Sequence, residues 1–174
     1  MTIIDALLQE LDQEAQTTRR VLERVPEGQL GWKPHAKSMS LGQLALHIAT
    51  TPGSVAEIAA RHGMDEAPTF VQPSAQSAAE LLPTLDESLA KARTILGGMD
   101  DRQAGETWTL KSGGRVLMAM PRAAVLRMIM LNHWYHHRGQ LSVYLRQLNV
   151  PLPSIYGPSA DENPFAVGAT ATTV

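Results

Sequence analysis

The feature that most constrains the fold is the segment 121–148, which has the sequence PRAAVLRMIMLNHWYHHRGQLSVYLRQL. It starts with a proline, which suits the first position of a helix, and no further proline occurs before Pro151. The residues between them are mostly good helix formers, so the segment is predicted to form one helix about 40 Å long, at a rise of ~1.5 Å per residue. Its middle carries His133, His136 and His137.

Two of these histidines share one face of the predicted helix. At about 100° per residue, His133 and His137 lie roughly 40° apart and one turn from each other. The rest of their stripe is mainly apolar and contains Leu126, Met130, Gln140 and Tyr144. The same spacing places His47 on the buried stripe of an upstream helix, together with Leu44, Ile48, Thr51, Val55 and Ile58. Three histidines are therefore expected on two buried helix faces.

This arrangement predicts a metal site. Burying an imidazole without a partner costs about 1–3 kcal/mol, so each ring needs a hydrogen bond, a carboxylate or a metal. A single buried histidine is usually a hydrogen-bonded core residue, but an i, i+4 pair with a third histidine nearby favours a divalent transition metal. Three imidazoles leave a position for water, as in catalytic zinc sites. Neutral imidazoles also accept nickel, iron and copper; we expect zinc or nickel ahead of iron or manganese.

Residues beside the predicted ligands are candidates for orienting them. Asn132 and Gln140 are positioned to contact a ligating imidazole. His136 points about 60° away from the first histidine of the pair at this helical spacing, so it is a competing ligand or a contact residue at a helix or subunit interface. Arg138 is expected to form a structural ion pair, and Gly139 suggests a close approach of another helix. The sequence identifies no catalytic general base.

Three further amphipathic helices are predicted before residue 121. The first begins near the N-terminus and has apolar or small residues at alternating steps of four and three. The second begins at Ser40, which predicts a capping box with Gln43 and so fixes the position of His47. The third has two possible starts, at Ser77 and at Thr84, each with a glutamate three residues later.

The remaining segments complete the expected architecture. Residues 107–119, TWTLKSGGRVLMA, predict a short hairpin or an extended loop over one end of the bundle, before the last long helix. Four amphipathic helices predict an all-α four-helix bundle. The chain is expected to form a single domain over residues 1–174, with residues 165–174 as a frayed tail.

Composition limits the function classes. The chain has 174 residues and no cysteine, so disulfides and thiolate metal sites are excluded. Fifteen Lys and Arg against 17 Asp and Glu give a formal charge of −2, which argues against nucleic-acid binding. No segment reaches the ~18 apolar residues of a membrane span, and the first residues do not resemble a signal peptide. We expect a soluble, cytoplasmic protein that acts on a small molecule.

Three motifs together resemble the DinB (DinB/YfiT-like) superfamily of bacterial metal-binding four-helix bundles. They are HWYHHRGQLSVYLR, the earlier SLGQLALHI and the C-terminal VPLPSIYGPSADE. The resemblance covers nearly the whole chain. It implies that His47, His133 and His137 bind a divalent metal, that the bundle has up-down-down-up topology, and that the protein is a homodimer.

The resemblance also implies a range of activities. Some members are similar to transferases or isomerases that use bacillithiol, mycothiol or glutathione, and others to metal-dependent hydrolases. We therefore expect a metal-dependent enzyme that activates a small thiol or water for attack on a small electrophilic substrate. The alternative is a non-catalytic, metal-stabilised dimer with a binding or stress-response role.

Overall fold

The computed structural model describes residues 1–67 and 71–166. Its helices are α1 (Ile3–Leu22), α2 (Leu41–Ala60), α3 (Leu81–Gly97), α4 (Asp101–Gly105), α5 (Arg122–Val125) and α6 (His133–Gln147). Its strands are β1 (Gly63–Met64), β2 (Thr107–Ser112) and β3 (Arg115–Pro121). The fold is therefore mainly helical, as predicted, with one small sheet. Most of the predicted C-terminal tail, residues 167–174, lies outside the described residues.

The last long helix is continuous but not uniform. Helices α5 and α6 are joined by a π-helical segment, Leu126–Asn132, and the backbone stays helical across both junctions. The predicted single helix is thus confirmed over residues 122–147. The π-helical segment was not predicted, because its helix-forming residues are equally compatible with a regular α-helix. Such segments often occur at functional sites, and this one ends directly before His133.

Contacts made by α1 give its direction relative to two other helices. Asp12 pairs with Arg93 of α3, and Arg19, further along α1, pairs with Asp86, earlier in α3. These two helices are therefore antiparallel. By contrast, α1 runs parallel to the last helix, because its successive glutamates pair with successive arginines there, Glu10 with Arg127 and Glu14 with Arg138.

Helices α2 and α3 are consecutive and parallel. The Ser88 hydroxyl donates to the Thr50 carbonyl, and one turn later Lys91 pairs with Glu57. The backbone N–H of Gly53 donates to the Ser88 hydroxyl at 2.8 Å, and a Cβ on Gly53 would lie 2.8 Å from the Ser88 carbonyl oxygen. With α1 antiparallel to α3, these contacts confirm the up-down-down-up arrangement.

The sheet covers the end of the bundle where α2 finishes and the last helix begins. Strands β2 and β3 form an antiparallel hairpin whose turn contains Gly113 and Gly114, with φ of 54° and 77°. The hairpin prediction is confirmed. Strand β1 was not predicted and pairs in parallel with β2, Gly63 opposite Thr109. A Cβ on Gly63 would lie 2.4 Å from the Thr109 carbonyl oxygen, so this pairing requires glycine.

Two local predictions for the helices were wrong. The third helix begins at Leu81 after a short turn, and neither predicted capping box forms. The Glu80 carboxylate accepts from the Gln76 N–H at 2.9 Å, and Thr84 lies inside the helix. Gly139 is exposed, and a Cβ there would meet nothing within 4 Å, so it marks no close approach of a helix within the described chain. The predicted box of Ser40 and Gln43 is present.

None of the helices within residues 1–67 and 71–166 is long and apolar enough to cross a lipid bilayer.

Candidate metal centre

The structure brings the three predicted histidines together between α2 and α6. The Nε2 atom of His133 lies 3.0 Å from Nε2 of His47 and 3.1 Å from Nε2 of His137. Among the described residues, these three form a group whose nitrogens all lie within 4.8 Å of one another, a spacing that suits one metal ion. No carboxylate belongs to this group.

Local structure explains why the rings converge. His47 follows the capping box of α2, in which the Gln43 N–H donates to Ser40 Oγ at 3.2 Å and the Ser40 N–H donates to Gln43 Oε1 at 2.9 Å. The cap fixes where α2 begins and hence which face His47 occupies. His133 and His137 open the first turns of α6, where i and i+4 side chains lie on one face.

A hydrogen bond between the two helices fixes their register directly beside the histidines. Pro52 lies within α2 and has no N–H, so the Ile48 carbonyl loses its helical donor. The indole N–H of the fully buried Trp134 donates to that carbonyl at 2.8 Å. Ile48 follows His47 and Trp134 follows His133, so this bond holds the two imidazoles opposite each other.

Burial keeps the three imidazoles neutral near pH 7. Burial, followed by the neighbouring His137 and His133 rings, lowers the pKa of His47 to about 4. Burial also lowers the pKa of His133 and of His137. A neutral imidazole presents a nitrogen lone pair, which is the form that binds a metal.

The three imidazoles cannot all be satisfied by hydrogen bonds to one another, whereas a central cation can bind all of them. Gln140 Oε1 lies 2.8 Å from His137 Nδ1 and accepts its proton, which leaves the lone pair of His137 on Nε2, facing the cluster. His133 Nε2 faces two imidazole nitrogens and can donate a proton to only one of them. A cation in the centre accepts all three lone pairs, so the residues present fit a metal.

Of the residues predicted to lie beside the metal ligands, only one contacts a ligand through a hydrogen bond in the described parts of the chain. Gln140 contacts His137 as described. Asn132 is exposed, and its side chain makes no hydrogen bond with the residues in 1–67 and 71–166. His136 is exposed with its ring centroid 5.1 Å from that of His137, and it lies outside the group of three.

Gln72 was not identified from the sequence. Its side chain faces His47 and partly offsets the lowering of that pKa by burial. Its carbonyl accepts a hydrogen bond of 2.9 Å from Gln43 Nε2, which anchors the segment before α3 on the first turn of α2. Gln72 lies 25 residues after His47 in an irregular segment, so no helical periodicity could have indicated the contact.

Arg138 forms the predicted structural ion pair. Its side chain is 1% exposed and pairs with Glu14 at 2.6 Å. Arg138 also donates to the hydroxyls of Thr18 and Tyr156, and Tyr156 donates to Glu14 at 2.9 Å. The C-terminal YGPSADE segment is therefore attached to α1 and α6, and Glu162 also pairs with Arg20.

Comparison with known proteins places the chain in one family. The sequence profile described as the DinB family matches residues 1–164. The YrdA protein of Bacillus subtilis strain 168 is 25% identical over 163 residues, which cover 91% of each chain.

Two solved structures share the fold of this chain. A DinB-like protein from Bacillus cereus ATCC 10987 has a TM-score of 0.65 at 24% identity, covering 87% of this chain and 97% of its own. YfiT from B. subtilis has a TM-score of 0.62 at 13% identity, covering 84% of this chain and 87% of its own. YfiT is described as a probable metal-dependent hydrolase with an unusual four-helix bundle topology. From the profile match over nearly its whole length, the chain belongs to the DinB family.

Proposed function

We propose that this protein is a metal-dependent enzyme in which His47, His133 and His137 hold one divalent cation, with zinc or nickel favoured. The observation that carries the proposal is the convergence of three Nε2 atoms at 3.0 and 3.1 Å, with no carboxylate in the group. A divalent cation on three imidazoles supplies a Lewis acid and keeps at least one position open for water, a thiol or substrate. The description of YfiT as a probable metal-dependent hydrolase supports this reading.

The protein's own residues orient the site. Gln140 fixes the tautomer of His137, and Gln72 contacts His47. The reaction proposed is attack of water or a small thiol on a small electrophilic substrate. Because the chain has no cysteine, a thiol nucleophile has to come from a separate small molecule.

Metal analysis of variants tests the site. The protein is purified without chelator and without a nickel column, next to the variants His47→Ala, His133→Ala, His137→Ala and His136→Ala. We expect about one transition-metal ion per chain in the wild type and in His136→Ala, and loss of metal in the other three, because each removes one of three ligands. Metal retention by all three ligand variants would contradict the proposal.

Activity is then tested with and without a thiol. The metal-loaded protein is incubated with nitrophenyl esters alone, and with an activated aryl halide plus a small thiol. Turnover of the ester that His133→Ala abolishes indicates a hydrolase, and thiol-dependent loss of halide indicates a transferase. Stoichiometric metal without turnover in either assay favours a non-catalytic, metal-stabilised protein.

We also propose that the chain forms a homodimer through the last long helix. Met128, Asn132, His136, Gly139 and Val143 follow one another at steps of four, four, three and four, and all are exposed. Val143 is 54% exposed and Met128 44%, so the stripe offers apolar area to a second copy. Val143→Arg is expected to convert a dimer to a monomer in light scattering, whereas Val116→Arg on β3 is not.

A further inference from the structure

An apolar cavity lies between the sheet and the bundle, at the end where α2 finishes. It has a volume of about 210 Å³. Strand β1 and the hairpin contribute Met64, Trp108, Leu110 and Met118 to its wall. The only polar group on these side chains, the Trp108 indole N–H, donates to the Ile58 carbonyl at 3.0 Å and is already satisfied. The cavity is partly open to solvent, and its apolar lining favours apolar ligands.

The helical wall of this cavity lies on the two helices that carry the histidines, and none of the three histidines lines it. On α2, Val55 lines the cavity and lies eight residues after His47, with Thr51 between them on the same face. On the last helix, Ile129 lines the cavity four residues before His133. At ~1.5 Å per residue, Val55 lies about 12 Å from His47 along the axis of α2, and Ile129 lies about one helical turn from His133.

We propose that this cavity binds the apolar part of the substrate whose reactive group is presented to the three histidines. This inference rests on the proposed function. An engineered dry cavity of ~150 Å³ holds benzene, so the volume here accommodates an aromatic ring or a branched alkyl group of roughly six to ten carbons. The substrate class is therefore a small electrophile with an apolar ring or chain, separated from the reactive group by two to four bonds.

The lining also suits more than one apolar group. Met64 and Met118 contribute unbranched, flexible side chains, which adapt to ligands of different shape. Val125 and Val55 are 1% and 7% exposed and belong to the packed core, so the helical wall is fixed. With one rigid wall and one adaptable wall, the cavity is expected to select ligands by their size and apolarity. Its lining offers them no hydrogen bonds.

A series of hydroxamic acids tests the inference, since hydroxamates bind divalent metals through two oxygens. Binding of acetohydroxamic acid to the metal-loaded protein is compared with that of phenylalkyl hydroxamic acids that have one to four methylenes. We expect the best phenyl compound to bind roughly 10- to 100-fold more tightly than acetohydroxamic acid, because its ring buries apolar area in the cavity. The optimum is expected at an intermediate chain length.

Variants that fill the cavity supply the control. Val55→Phe and Met118→Phe are expected to remove the gain from the phenyl group while leaving acetohydroxamic acid unaffected. Val116→Phe changes an exposed residue of β3, 57% exposed and outside the cavity, and is expected to keep the gain. Two filling variants are used so that misfolding of one does not prevent the test.

The outcomes separate this inference from the proposed function. If acetohydroxamic acid binds and the phenyl group adds nothing at any length, the cavity inference fails and the metal site stands. If the protein binds neither metal nor hydroxamate, the proposed function fails. Toluene is then titrated into the metal-free protein. If toluene binds and Val55→Phe abolishes that binding, the cavity is an apolar ligand site. If toluene does not bind, the cavity inference is overturned.

Discussion

At the scale of single residues, the site depends on the tautomer of His137. An imidazole with its proton on Nε2 would point an N–H into the cluster and could not bind a metal through that atom. The contact of 2.8 Å between Gln140 Oε1 and His137 Nδ1 favours the other tautomer. Residues three apart are neighbours on a helix surface, so Gln140 reaches His137 without distorting α6.

Replacing this glutamine is expected to weaken metal binding without removing a ligand. For Gln140→Ala we predict a loss of affinity of roughly 10- to 100-fold, which is typical when the partner of a ligating histidine is removed. Isothermal titration with zinc at pH 7 measures it. Asn132→Ala, which changes an exposed residue, is the matched control and is expected to bind like the wild type. Equal affinity of the two variants would show that Gln140 does not hold the ring.

The residues of the site were predictable to the extent that they depend on local helix geometry. The shared face of His133 and His137 follows from their spacing, and the cap at Ser40 places His47. The contact of Gln72 with His47 depends on how an irregular segment returns to α2, which no local pattern encodes. The prediction for Gly139 was wrong because a glycine within a helix does not by itself show which face of the helix is packed.

At the scale of the elements, the pair Pro52 and Trp134 holds α2 and α6 in register. The proline leaves the Ile48 carbonyl without its helical donor, and the buried indole supplies one at 2.8 Å. The bond forms only when α2 and α6 have the register that brings His47 to His133. A residue that ordinarily disrupts a helix therefore contributes to the specificity of helix packing.

A double-mutant cycle tests this coupling. Trp134→Phe leaves the buried Ile48 carbonyl unpaired and is predicted to lower the free energy of unfolding by about 1–3 kcal/mol in addition to the small loss of apolar area. Pro52→Ala restores a backbone N–H, so in that background the same change is predicted to cost less. Urea unfolding of the four proteins gives the interaction energy. Additive effects would show that the proline and the indole are not coupled.

The link between α1 and the last helix is predicted to depend on pH. Arg127 donates to both oxygens of Glu10 at 2.6 Å, and Tyr135 donates to one at 3.0 Å. The bonds from Arg127, and then that from Tyr135, lower the pKa of Glu10 below its usual range. The stabilisation is therefore present above the unfolded-state pKa of ~4.3 and is lost as pH falls through the lower value in the folded protein.

Urea unfolding at several pH values measures this effect. Because Glu10 is partly exposed, with 32% of its side chain accessible, its contribution is expected to be about 1 kcal/mol. Glu10→Gln should lack this contribution at pH 7. Its stability should therefore decrease less than that of the wild type as the pH falls below ~4.3. Glu23→Gln, at an exposed position after α1, is the control. An unchanged pH profile in Glu10→Gln would contradict the assignment.

Elements with strong local signals were predicted, and those defined by long-range contacts were not. The cap of α2 and the glycine turn of the hairpin are local. Strand β1 has two residues and exists only because Gly63 lies against Thr109, 46 positions later. The π-helical segment before His133 contains ordinary helix formers, so its sequence does not distinguish it from an α-helix.

At the scale of the whole molecule, the topology determines which helices can share a ligand. Because α2 and α3 are parallel, the chain after α2 has to return along the bundle before α3 begins. The 20 residues of α2 span about 30 Å, and the 20 residues from 61 to 80 are long enough to cover that distance at ~3.3 Å each. This long return allows α2 to lie against the last helix, and it carries Gln72 past His47.

A metal bound at this position is predicted to stabilise the whole domain, because it joins two helices that are distant in sequence. If the metal binds only the folded state, a free concentration 1,000 times its dissociation constant adds about 4 kcal/mol. For a chain of this length, that corresponds to a rise of roughly 8–16 °C in the melting temperature. Calorimetry with and without zinc, after removal of metal by a chelator, measures the shift.

Two variants make this prediction specific to the three histidines. His133→Ala removes the ligand nearest to both others and is expected to show no stabilisation by zinc at the same concentration. His136→Ala changes an exposed histidine beside the site and is expected to keep the full shift. If zinc stabilises both variants equally, the metal acts elsewhere on the chain. If zinc stabilises only His136→Ala, the gain in stability comes from a metal that links α2 to the last long helix. These are the same two helices that form the helical wall of the proposed substrate cavity.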